Sequence, residues 1–136
     1  MTDSIAYDKA IPALLAAIPE FSDDYQALQD GGISTDLPHP IMATFSEFVV
    51  ARLLSNDSDE LLRRVFEFLE LLATSRDLKT RSLLQVSFLE HLPKTPGALE
   101  AARLRMGPET RRLSDEMEAL WSDGTMPPSW RESRDG

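Results

Sequence analysis

Apolar residues recur along this chain at helical spacing, and no Val, Ile and Thr alternation of the kind that marks a strand is found. The densest block runs from Leu61 to Leu72. At about 100° per residue, its polar positions Arg63, Arg64, Glu67 and Glu70 fall within roughly a third of the helix circumference, and everything else is apolar. Such a helix needs cover on most sides. The pattern predicts the central helix of a small all-α domain.

The flanking pattern supplies the cover. Residues 1–9 are expected to fray, and a short helix is predicted from Ala10 to Ile18, ended by Pro19. Ser22 is the expected N-cap of a helix through Gln29, with Asp23 and Asp24 at the positive end of its dipole. Pro40 opens a helix to Leu54. Asp57 and Glu60 resemble a capping box ahead of the central helix, which is expected to reach Thr74. Further helices are predicted at Leu78 to Leu92, Gly97 to Arg105, and Gly107-Pro108 to Trp121. Short connections make successive helices antiparallel neighbours. The fold class is thus all-α, a compact antiparallel helical bundle over residues 1–122, with residues 123–136 a loosely ordered tail. Asp77 followed by Arg81 at the start of a helix adds a suggestion of HEAT-like helix pairing.

Composition narrows the function. The 136 residues include no cysteine, which excludes a disulfide framework, thiol catalysis and Cys-ligated zinc. No leader-like amino terminus or membrane-length apolar run is present, so a cytoplasmic location is expected. The net charge of −9 disfavours direct binding to nucleic acid or an anionic membrane and favours a basic protein partner. From Glu20 to Glu60 there are nine acidic residues against Arg52 alone. That imbalance leaves little local compensation and would speed encounter with a basic surface.

Candidate chemistry is sparse. His39 and His91 have no partners at metal-ligand spacing; a local turn with a ring hydrogen bond is expected for His39, and a helix end near carbonyls for His91. Asp57, Asp59 and Glu60 are close together, but acids in a first helical turn are explained by the dipole. No phosphate loop, nucleophile elbow or zinc motif occurs. The chain is expected to be non-catalytic and to need no cofactor or metal. Arg81 and Gln85, one turn apart, are either a polar strip beside a groove or a local Arg81 to Asp77 pair with a half-exposed Gln.

The segments Leu37-Pro38-His39, Val86-Ser87-Phe88-Leu89-Glu90 and Met106-Gly107-Pro108-Glu109-Thr110-Arg111-Arg112-Leu113, closed by Trp121, resemble a family of small all-helical bacterial proteins of poorly defined function. Members of that family look like immunity proteins of polymorphic toxin systems. The resemblance spans Ile11 to Trp121 and carries over no catalytic residue. It implies an antitoxin, monomeric or weakly dimeric, that occludes a basic toxin domain. The charge map places the contact at Asp23, Asp24, Asp36, Asp57, Asp59 and Glu60. The alternative is a helical adaptor that takes a peptide or helix in an apolar groove beside Arg81 and Gln85.

Overall fold

The helical spacing is realised in seven α-helices among the described residues: α1 (Ala10–Ala17), α2 (Ser22–Asp30), α3 (Pro38–Leu53), α4 (Asp59–Ala73), α5 (Leu78–Ser87), α6 (Ala98–Arg103) and α7 (Pro108–Ser122). A computed structural model describes residues 5–32, 38–55 and 58–122, with side chains through Ala119, and contains no strand in these residues. The 123–136 tail, Asp36 and Asp57, and with Asp57 the expected capping box, lie outside them. Ser58 holds the N-cap position of α4 and makes no side-chain cap bond.

The periodic stripe of α4 does what its composition requires. Leu62, Val65, Phe66, Phe68, Leu69, Leu72 and Ala73 are buried, and the helix packs against α1, α3, α5 and α7. Leu71 is the exception to the expected cover, at 41% exposed. Centrality is shared with α3, which packs against α1, α2, α4, α5 and α6. Its fully buried Phe45 meets the rings of Phe21, Phe48, Phe68 and Phe88, which come from the turn before α2, from α3 itself, from α4 and from the end of α5. Truncating such a ring to Ala would cost about 3–5 kcal/mol through lost transfer energy and the cavity left behind.

Several local expectations are corrected. Residues 5–9, expected to fray, include a 3-10 turn at Tyr7–Lys9 and are tied to the rest of the fold. The Ile5 carbonyl accepts hydrogen bonds from Ser75 Oγ (2.6 Å) and Thr80 Oγ1 (2.8 Å), and the Tyr7 amide donates to Asp77 (2.9 Å). Ser22 is not an N-cap: Pro19–Phe21 forms a 3-10 turn that runs directly into α2. The helix expected to reach Leu92 ends at Ser87, and Phe88 leads into a 3-10 segment at Leu89–Lys94. Pro93 bars an α-helix through Leu92, because it has no amide to donate and disfavours α geometry at Leu92, but the break falls earlier, at Phe88, whose backbone leaves the helical region. The break also has a packing consequence. Leu83, Leu84, Phe88, Leu89 and Leu92 would span about two-thirds of a straight helix, yet all are buried here.

Asp77 caps α5 by accepting from the Lys79 amide (3.0 Å) and does not pair with Arg81. Its hydrogen bond from Tyr7, with the Lys79 amide adding to it, holds its carboxyl below the usual carboxylate range. The local Arg81 to Asp77 pair, one of the two expected alternatives for Arg81, is therefore not formed.

Candidate partner-binding surface

Helix α4 presents its polar stripe to solvent, and its amino-terminal half meets the Pro19–Phe21 turn that leads into α2. Arg64 donates from both terminal nitrogens to the Glu20 carboxylate, at 3.1 and 2.5 Å, and its Nε lies 3.6 Å from Glu60. Glu60 in turn accepts from Arg63 at 2.7 and 3.2 Å, and Arg63 reaches Glu67 at 2.8 Å. One guanidinium thus joins residues 44 positions apart into a continuous run of charge. Hydrogen bonding from Arg64 holds Glu20 below the usual carboxylate range, and bonding from Arg63 does the same for Glu60.

Of the six acids expected at the contact, Asp36 and Asp57 lie outside the described residues. Asp23 and Asp24 are exposed on the first turn of α2, just after Glu20, and neither makes an ion pair among the described residues. Through Glu20 and Arg64 they share a surface with Glu60. Asp59 is also exposed, but Arg105 bonds to it at 2.5 Å. The expectation that the acidic half lacks compensation is therefore corrected. Arg63, Arg64 and Arg105 come from outside the Glu20 to Glu60 segment and neutralise part of it. A charge count along the sequence cannot include bases that folding alone brings near.

The groove candidates separate. The side-chain amide of Gln85 donates to the Leu113 carbonyl (3.3 Å) and to Glu116 (3.4 Å), so it fastens α5 to α7. Arg81 stays half-buried, and its Nε is buried without a hydrogen-bond partner among the described residues. The histidines also differ from expectation. His39 lies in the first turn of α3, and its Nδ1 is 2.5 Å from Ser87 Oγ, a long-range contact rather than a local one. Burial pushes its imidazole below the ordinary histidine range. His91 is half-buried beside Lys94, and burial followed by that positive charge lowers it too. Neither environment favours a cation.

One polar group that sequence reasoning left in the solvated stripe has a structural task. Glu70 accepts from the amides of Glu109 and Thr110, each at 3.0 Å, and from the Thr110 hydroxyl at 2.9 Å. It therefore caps α7 from a neighbouring helix, where Gly107 has no side chain to do so. A Cβ on Gly107 would lie 2.4 Å from Glu70 Oε1. Pro108, whose missing amide needs no partner in the first turn, completes the arrangement. The Gly-Pro-Glu-Thr segment is thus explained by helix capping. The available signal was a glycine at an N-cap position, which implies that the cap comes from elsewhere.

Among the described residues, no three His, Asp or Glu side chains converge as a metal site would need, and no helix is long and apolar enough to cross a membrane. The fold and this surface define a small all-helical domain with an exposed ion-pair network and unpaired carboxylates beside it. The chain belongs to the family described as a domain of unknown function, DUF7674, which matches residues 11–122. No curated protein matches it, and no solved structure does.

Proposed function

We propose that this chain is a non-catalytic cytoplasmic immunity protein that binds a cognate toxin domain and occludes it through the surface formed by α2 and the start of α4. The observation that carries this reading is the Arg64 bridge between Glu20 and Glu60, which sets the unpaired Asp23 and Asp24 beside the α4 acids. The sequence resemblance to small helical bacterial proteins whose members look like immunity proteins agrees with this reading.

Asp23 and Asp24 are the carboxylates best placed to meet partner cations, because they enter no internal pair among the described residues. Asp59 and Glu60 would exchange Arg105 and Arg63 for partner groups, a smaller net gain. The basic surface expected of the partner suits an enzyme that acts on an anionic substrate.

The test is association with a candidate cognate toxin domain, sought among the proteins encoded beside this chain and measured across ionic strength. The variant carrying Asp23→Lys, Asp24→Lys and Asp59→Lys is expected to associate about tenfold or more slowly at low salt, with a flatter salt dependence. Unchanged association and salt response would exclude this face as the contact.

A further inference from the structure

A second surface has a different chemistry. A cavity of about 460 Å³ opens where the Tyr7–Lys9 turn, α1, α2 and the start of α3 meet. Tyr7, Ile11, Leu15 and Tyr25 line it together with Pro12 and Pro38, and Asp8 is the acidic side chain among these lining residues. The sequence has two tyrosines, and both are here. Each is half-buried, while Asp8 is exposed.

This lining suits a particular ligand. Tyrosine rings offer flat apolar faces and a hydroxyl donor, and proline rings add rigid apolar edges. A polyproline II segment matches both, since it presents pyrrolidine rings to aromatic faces and leaves its carbonyls free to accept hydrogen bonds. The wall is also held in place before any ligand arrives: the Tyr7 amide is fixed by Asp77, and the Ile5 carbonyl by Ser75 and Thr80. Such preorganisation reduces the ordering cost of binding. Asp8 at the cavity, with the unpaired Asp23 and Asp24 on the helix that carries Tyr25, selects a cationic flank over an anionic one.

We propose that this groove binds a short proline-rich segment of a partner protein, with an Arg or Lys flanking the prolines. The proposal differs from toxin occlusion in the kind of contact, aromatic and proline packing in place of ion pairs, although Asp23 and Asp24 border both surfaces.

The experiment is a titration of the isotope-labelled full chain with a synthetic Pro-Pro-x-Pro-Arg peptide, followed by amide and side-chain NMR shifts. Shifts are expected at Tyr7, Ile11, Leu15 and Tyr25. Tyr25→Ala, checked for folding by circular dichroism, is expected to weaken binding by about tenfold or more. Asp8→Asn tests the charge and is expected to weaken binding about two- to fivefold at low salt. Replacing the peptide prolines by Ala should abolish the shifts.

Three results would overturn the proposal: no shifts at millimolar peptide, equal binding of the proline-free or Glu-flanked peptide, or shifts confined to the Asp59 and Glu60 surface. A fourth concerns the chain's own Pro127-Pro128-Ser129-Trp130-Arg131, which has the same chemistry. If Pro127→Ala with Pro128→Ala is needed before the peptide binds, the groove serves this chain's own segment and not a partner.

Discussion

The two ends of the α4 polar stripe use the same residue types for different purposes. At the amino-terminal end, Arg63, Arg64 and Glu67 are joined to Glu20 and Glu60 by exposed ion pairs, where water competes for every group. At the carboxy-terminal end, Glu70 is half-buried and bonded to the backbone of α7. The first arrangement is exchangeable and holds few kilocalories; the second leaves amide donors without partners if it is lost. A glutamate on a helix surface is therefore interpretable only with its donors counted.

The largest expected effect lies at the Glu70 end. Gly107→Ala drives Glu70 out of its cap and is expected to destabilise the chain by about 1–3 kcal/mol, read as the midpoint of urea unfolding. Glu70→Ala should cost about 1–2 kcal/mol for the same lost bonds. The two changes should not add. With Glu70 already truncated, Gly107→Ala meets no carboxylate, and its backbone is not in the left-handed region, so the second change should be neutral or stabilising by up to about 1 kcal/mol. Additive costs would show that Glu70 is not what requires glycine at 107.

At the other end, Arg64→Ala is expected to change the unfolding midpoint less than either of those variants, while altering the salt dependence of partner association. A loss of stability equal to that of Glu70→Ala would erase the distinction between the two halves of the stripe.

The smallest expected effect is a pH slope. Burial lowers His39 and His91 in the folded state, so the unfolded chain binds protons more readily. Their contribution is full above the ordinary histidine value of about 6.5 and is lost as pH falls through the lower folded values. Glu20 and Glu60 are also lowered, so their contribution disappears at still more acid pH, as the carboxylates protonate. Unfolding midpoints between pH 7 and 5 should fall for the native chain and fall less for His39→Asn. An unchanged slope in that variant would remove His39 from this account.

The groove and the ion-pair surface offer the same contrast in functional form. One is walled by tyrosines and prolines fixed by long-range hydrogen bonds; the other is a field of charges that a partner can rearrange. Salt should weaken binding at the charged face far more than at the groove.

By itself the sequence determined most of the helices, the burial of Leu62, Val65, Phe66, Phe68, Leu69 and Leu72, and the all-α class, because helical period and proline and glycine punctuation are local properties. It also marked Asp23 and Asp24 as exposed carboxylates in the first turn of α2. Tertiary structure decided the rest. It decided which acids are compensated, because Arg64 and Arg105 reach them across 44 and 46 positions. It ended α5 at Ser87, and with that break Phe88, Leu89 and Leu92 are buried together with Leu83 and Leu84, a set that would span about two-thirds of one straight helix. It ordered residues 5–9 through bonds to the start of α5, and it brought Tyr7 and Tyr25 into one groove. These outcomes depend on distances between residues far apart in the chain, which periodicity does not encode.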